Sequence, residues 1–267
     1  MGSAMTALSE LREQLHVSVS QLKCYLKCPE KYRLQYVVGA EPEFRPANLV
    51  IGSAVHEGLA AHYSAVMQTS KSPEMEVCMD AFQDSLTAAR KGKIPIEDIG
   101  KDLEAIGIGL LKAFYDRVHE NPPKVVGVEY PFSIELHDPV TGEALEEKLV
   151  GALDLVVEEN GRKIIGEHKS AARRWPKDQI EHDLQLAGYK LVGQKLGMRD
   201  VGLRLQILTK TKVPTLVVED TDRDEKAIQE FLATTVGVLK AVDAGVFFPI
   251  RTTMCTGCPF QRQCEGR

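Results

Sequence analysis

Between Lys124 and Ser170 apolar and polar residues alternate with the period of two expected of strands, and outside that block apolar positions recur mostly at helical spacing. VVGVEYPFSIEL, EKLVGALDLVV and RKIIGEHK read as a three-strand meander, reversed at His137–Glu143 and again at Asn160-Gly161. A helical stretch from Asp178 to Leu196 separates them from two further strands, Gly202–Thr209 and Thr215–Glu219. Helical patterns also cover Leu8–Val38, Ala47–Met67, Pro73–Lys91, Glu97–His119 and Thr221–Ala244, with Ser18-x-x-Gln21 as a capping box in the first. Strands broken by a helix and resumed predict one large α/β unit with a helical accessory part.

The Asn160-Gly161 reversal is the strongest short-range signal, because both positions of such a turn need φ > 0. A two-residue loop fixes the register: Arg162 pairs with Glu159, and counting outward brings Glu167 opposite Asp154. Opposed residues share a face, with Cβ atoms roughly 4.5–5.5 Å apart. Alternation then puts Lys169 on the face of Glu167 and points His168 away. Asp154, Glu167 and Lys169 therefore meet on one side of the sheet. Two neighbouring carboxylates on a half-buried face are costly unless a cation lies between them. A hard divalent ion, Mg²⁺ or Mn²⁺, takes such oxygen ligands. An Asp–Lys–Glu salt-bridge cluster would satisfy the same charges, and the hairpin alone leaves both readings open.

Composition narrows the classes. With 43% hydrophobic residues, the 267-residue chain can build a substantial core. No apolar run reaches the ~18 residues of a membrane span, and no charged-then-apolar leader opens the chain. Met1-Gly2-Ser3-Ala4-Met5 reads as a cloning remnant. A cytoplasmic protein is expected, and its six cysteines then point to metal or redox chemistry before disulfides. A net charge of −5 argues against a protein that coats nucleic acid, but not against a basic channel around an acidic centre.

Other candidates lie around the hairpin. Gln185 and Tyr189, four apart on a helix, can both lean toward the acidic edge of the sheet. The basic loop Ala171–Lys177 holds Arg173, Arg174 and the only Trp, Trp175. Its cations suit backbone phosphates and its ring could stack on a base, or simply cap the core. Glu129 sits in the strand before Asp154, where glutamates mostly face solvent. Cys255, Cys258 and Cys264, with one early thiol from Cys28 or its rival Cys24, supply four thiolates, enough for a tetrahedral zinc site or a 4Fe–4S cluster. Cys24 and Cys78 are expected to be small buried side chains, and His62 to be structural.

Gly151-x-x-Asp154, Glu167-x-Lys169 and Gln185-x-x-x-Tyr189, in that order, resemble the active-site signature of the PD-(D/E)XK nucleases in their RecB-like branch. SVSQLKCYLKCPEKYRLQYV resembles the opening of the members that carry an iron–sulfur cluster, and Gly52-Ser-Ala-Val-His56 resembles their GxxxH motif. The resemblance implies a restriction-endonuclease-like core, a mixed sheet flanked by helices, with a helical insertion and an iron–sulfur clasp joining the chain's ends. It implies DNA phosphodiester hydrolysis with one or two Mg²⁺ or Mn²⁺ ions on His56, Asp154, Glu167 and the backbone carbonyl of His168. Lys169, Gln185 and Tyr189 would orient nucleophile and phosphate, and Cys28, Cys255, Cys258 and Cys264 would hold a 4Fe–4S cluster. The expected layout is an N-terminal helical segment (6–46), a helical region bearing His56 (47–123), the nuclease core (124–245) and a cluster segment (246–267). The expected activity is exonuclease on single-stranded or open-ended DNA, similar to CRISPR-associated RecB-like exonucleases and to the nuclease modules of helicase–nuclease complexes. The alternatives are a non-catalytic DNA-end-binding subunit, which has no reason to keep the Asp–Glu–Lys set intact, and a nuclease acting on RNA. Polarity, oligomeric state, protein partners and pathway have no signature in the chain.

Overall fold

The computed structural model describes residues 2–266. Helix α1 (Gly2–Leu11) leads through the two-residue strand β1 (His16–Val17) into α2 (Val19–Lys27) and the short α3 (Pro29–Tyr32), which continues as a π-helical turn over Arg33–Val37. The helical pattern from Leu8 to Val38 is thus several elements rather than one. His16 and Val17 pair in parallel with Lys148 and Leu149. Ser18 then starts a new helix through a reciprocal capping box with Gln21. Pro29 forces Cys28 into extended backbone, φ −163°, and restarts the helix at its own first position.

Three longer helices follow: α4 (Ala47–Thr69), α5 (Met75–Lys91) and α6 (Leu103–Val118). The meander comes next as β2 (Lys124–His137), β3 (Ala144–Glu159) and β4 (Arg162–Ala171). After it come α7 (Lys177–Glu181), α8 (Leu184–Lys195), β5 (Gly202–Thr209), β6 (Thr215–Thr221) and α9 (Glu225–Asp243). A 3₁₀ turn (Thr253–Gly257) and α10 (Gln261–Glu265) close the chain. The helix expected over 178–196 is two, because Asp183 is extended and its carboxylate accepts the Gln185 and Leu186 amides as the N-cap of α8.

All six strands form one mixed sheet. β2, β3 and β4 are antiparallel, β5 runs parallel to β4, and β6 returns antiparallel to β5. The hairpin register runs from Glu159↔Arg162 to Leu155↔Gly166, as the turn requires, with Asn160 and Gly161 at φ +52° and +76°. Each face of the sheet has its own core. On one, Leu22 of α2, Leu186 and Val192 of α8 and Phe231 of α9 pack with Leu153, Ile165 and Leu205. On the other, Ile51 and Leu59 of α4, Phe82 of α5 and Phe114 of α6 pack with Leu155, Val157 and Leu208. Leu22, Leu59 and Phe82 are fully buried, and each such side chain contributes about 1.5–3 kcal/mol. Gly107 lets α6 close on the Phe82 ring, which a Cβ there would overlap. Among the described residues no helix is long and apolar enough to cross a membrane.

Candidate active site

Asp154 on β3 and Glu167 on β4 stand one position beyond Leu155↔Gly166, where the pairing of the two strands ends. Asp154 is anchored by the His168 amide, which donates to Oδ2 at 2.8 Å. Burial and then the neighbouring Glu167 carboxylate push the Asp154 pKa well above the ordinary carboxylate range. Glu167 is itself buried, with Oε1 ion-paired to Lys169 and Oε2 without a hydrogen-bond partner. For Lys169, burial favours the neutral amine but the Glu167 charge outweighs it, so its pKa rises.

Behind this pair, α8 supplies a polar chain. Lys169 Nζ donates to Gln185 Oε1 at 2.9 Å, Gln185 Nε2 to the Tyr189 hydroxyl at 3.1 Å, and that hydroxyl to the Ala152 carbonyl at 3.1 Å. Burial, followed by the Glu167 and Asp154 charges, keeps Tyr189 a neutral phenol. The structure thus brings Asp154, Glu167, Lys169, Gln185 and Tyr189 together, by the β4 register and by the one-turn spacing on α8.

His56 enters from α4 on the opposite side. Its Nε2 bonds the His168 carbonyl at 3.0 Å, so Nε2 carries the proton, and Nδ1 lies 3.7 Å from Asp154 Oδ2. The His168 carbonyl, implied as a metal ligand by the resemblance, is in this structure the acceptor for His56. The His168 ring points away from the acids, as alternation predicts, and stacks on Tyr63 with centroids 5.6 Å apart.

The residue whose place the sequence left open is Glu129. It stands opposite Asp154, between the pairs Val128↔Leu155 and Tyr130↔Leu153, and has φ +44°. That conformation costs a non-glycine residue about 1–2 kcal/mol, and such strain concentrates at functional sites. It turns the carboxylate inward, where solvent exposure was expected. Ligand atoms of His56, Glu129 and Asp154 all lie within 4.8 Å of one another, the one such group among the described residues. Burial, then the Asp154 charge, raises the Glu129 pKa to about 7, against a partial offset from His56. Glu167 stands beside this trio rather than in it. A cavity of about 460 Å³ opens over the group, with Lys169 and Lys210 on its wall.

This donor set fits a hard divalent cation. Burial and neighbouring carboxylates raise the pKa values of Asp154 and Glu129, Glu167 Oε2 is buried without a hydrogen-bond partner, and His56 Nδ1 lies 3.7 Å from Asp154 Oδ2.

Cys28, Cys255, Cys258 and Cys264 line a second, common cavity. Cys28 comes from the α2–α3 junction, Cys255 from the 3₁₀ turn, Cys258 from its end and Cys264 from α10. Backbone bonds from Glu30 to Phe248 (3.1 Å) and from Glu43 to Pro259 (2.8 Å) stitch the two segments together. No three of the sulfurs fall within 4.8 Å of one another among the described residues, so they are not drawn in around a point. Cys24 is half-buried against the core, and burial pushes its thiol up to about 11. Cys78 is fully buried, 3.8 Å from His62, which is also fully buried.

Arg173, Arg174 and Trp175 line a third cavity of about 540 Å³, apart from the acids. Arg174 is ion-paired to Glu219, and Trp175 packs partly against the core.

A search of curated proteins returns no match to the chain. Among solved structures, a protein of Eubacterium rectale described as a "putative exonuclease" superposes with TM-score 0.57 at 16% identity, over 93% of this chain and 87% of its own. A second, SSO0001, gives TM-score 0.39 at 14% identity, over 89% and 94%. The model of the PD-(D/E)XK nuclease superfamily matches residues 16–265. That match takes in the β3–β4 acids, the α8 pair and both cysteine-bearing ends, and the chain belongs to the PD-(D/E)XK nuclease superfamily.

Proposed function

We propose that the protein is a divalent-metal-dependent DNA exonuclease acting on single-stranded or open-ended DNA, braced by a structural 4Fe–4S cluster. The observation that carries the reading is the convergence of His56, Glu129 and Asp154 within 4.8 Å, beside the orphaned Glu167 oxygen and the Lys169 ammonium. Mg²⁺ or Mn²⁺ would be held by His56 Nδ1 with Asp154, Glu129 and Glu167. Once bound, the ion supplies Lewis acidity, lowering the pKa of a coordinated water and offsetting charge on the phosphate.

The chain's own groups do the positioning. Lys169, fixed by Glu167 and Gln185, keeps a proton and presents it toward the cavity, where it can orient a water or hold a phosphate oxygen. Tyr189 holds Gln185 from behind and remains protonated. Arg173 and Trp175, with Arg174 once it leaves Glu219, would guide the strand by phosphate contact and base stacking. The exonuclease description of the Eubacterium rectale neighbour agrees with action at ends.

The four thiols sharing one cavity support the cluster. Its task would be to clasp the ends of the chain, with no redox role.

Digestion of DNA labelled at either end, with Mn²⁺, with Mg²⁺ and with chelator, tests the function. Stepwise loss of nucleotides from an end, abolished by chelator, is expected. Binding without cleavage in every metal would reduce the protein to a DNA-end-binding module, and cutting of closed circles would replace exonuclease by endonuclease.

A further inference from the structure

Lys23 falls within the Ser18–Val37 stretch but is assigned no role by its sequence, yet its side chain reaches the rear of the acid site. It projects from α2, the helix that ends at Cys28, and Nζ donates to Asp183 Oδ2 at 2.9 Å and to Gln185 Oε1 at 3.3 Å. The same Gln185 oxygen accepts Lys169 Nζ at 2.9 Å. One carboxamide oxygen therefore sits between two ammonium groups. That arrangement fixes which end of the amide faces Lys169 and which faces Tyr189. Asp183 is fully used as well: Oδ1 caps α8 through the Gln185 and Leu186 amides, and Oδ2 takes Lys23.

We propose that Lys23 is a positioning residue of the nuclease site: it locks the Gln185 side chain, and through it the direction in which Lys169 presents its ammonium. The proposal rests on the nuclease reading above and adds a residue to it. Without Lys23, the Gln185 oxygen is held by one donor that is already shared with Glu167, and the amide can turn away. Lys23 touches neither the cavity nor the candidate metal ligands. Its loss should therefore slow the reaction without weakening metal or DNA binding. The pair with Asp183 also ties α2 to α8, so a purely structural tether is the alternative to be separated.

Lys23→Met and Lys23→Arg are compared with wild type for melting temperature, rate at saturating DNA, and KM. Lys23→Met should lose about tenfold in saturating rate with KM within about twofold, as misplacement of a reacting group predicts. Lys23→Arg, which can still reach both acceptors, should recover most of the rate. In a Lys169→Met background, Lys23→Met should cost nothing further, because both act through one contact. A lowered melting temperature with unchanged saturating rate, or equal defects in the Met and Arg variants, overturns the proposal. A crystal structure of Lys23→Met decides it apart from any assay: Gln185 Oε1 should have left Lys169, and an unmoved Gln185 refutes the role. Wild type that cleaves no DNA with Mn²⁺ removes the nuclease reading, while that structure still judges Lys23.

Discussion

The acid site and the thiol-lined cavity both join parts of the chain that are far apart in sequence, but they are assembled by different physics. At the acid site, Glu129, Asp154 and Glu167 come from three adjacent strands, so main-chain pairing sets their spacing before any side chain packs. At the thiol cavity, Cys28 meets Cys255, Cys258 and Cys264 with no ladder between them; a few backbone bonds, side-chain bonds such as Tyr25 to Val246 and Gln263 to Glu41, and Phe247 stacked on Tyr32 align them. The acids are held together against their mutual repulsion by a sheet that is stable without them. The thiols belong to segments that need something to hold them together. Groups of the first kind should be dispensable for folding and indispensable for activity, and groups of the second kind the reverse.

The largest effect should come from the thiols. Closing the loop between residues 28 and 255 removes on the order of 5 kcal/mol of chain entropy from the unfolded state. Cys28→Ser should cost a large part of that in denaturant unfolding, together with iron content and brown colour. A colourless variant as stable as wild type would erase the contrast, and a coloured one would give the fourth position to Cys24.

Asp154→Ala should do the opposite. Cleavage should fall about 10²–10⁴-fold, while the melting temperature stays level or rises as a buried like charge is removed. Lys169→Met should cut cleavage as deeply but lower the melting temperature, because the buried Glu167 loses its counter-charge. Undiminished cleavage in either variant would put the chemistry elsewhere.

How much of this was legible follows from the same contrast. The Asn160-Gly161 turn fixes a register, and with period-two alternation it locates Asp154, Glu167 and Lys169 by counting. Gln185 and Tyr189 needed only helical spacing. Glu129 could not be counted to, because β2 and β3 are joined by a long turn and their pairing shifts register between Val125 and Gly127 and between Glu135 and His137. Its inward turn also depends on a positive φ that no residue type there announces. The break at Asp183 was written in the sequence as an N-cap residue, but it lay inside an apolar stripe that continued across it. Lys23 was invisible, since its partners stand on a helix that no local pattern ties to α2.

Next in size is a test of two histidines on one helix. His56 faces the acids, whereas His62 is enclosed by Tyr63, Phe114 and Tyr115 with Nε2 unpartnered. Burial, then the charge of His119, lowers the His62 pKa to about 4. The unfolded chain therefore takes up the proton first as pH falls. Stability on this account is full above about 6.5 and is lost down to about pH 4, by about 3 kcal/mol. His62→Phe should remove that component from the pH dependence of unfolding. Identical slopes for the two proteins would show that His62 finds a partner for its proton.

The smallest effect separates the two ways in which a carboxylate can belong to the site. Asp154 accepts the His168 amide, whereas Glu129 makes no hydrogen bond to the protein among the described residues and sits on strained backbone. Glu129→Gln keeps the size and removes the charge. Calorimetric Mn²⁺ affinity should fall about 10–100-fold, and the metal-free protein should be at least as stable above pH 7, where the Glu129 carboxylate is otherwise forced to ionise beside Asp154. Rates at saturating Mn²⁺ should then return most of the way to wild type, because Lys169 and its supports are untouched. Unchanged Mn²⁺ affinity would leave Glu129 as strain without a ligand role, and would return the ion to His56 with Asp154 and Glu167, the two acids that the hairpin register had already brought together.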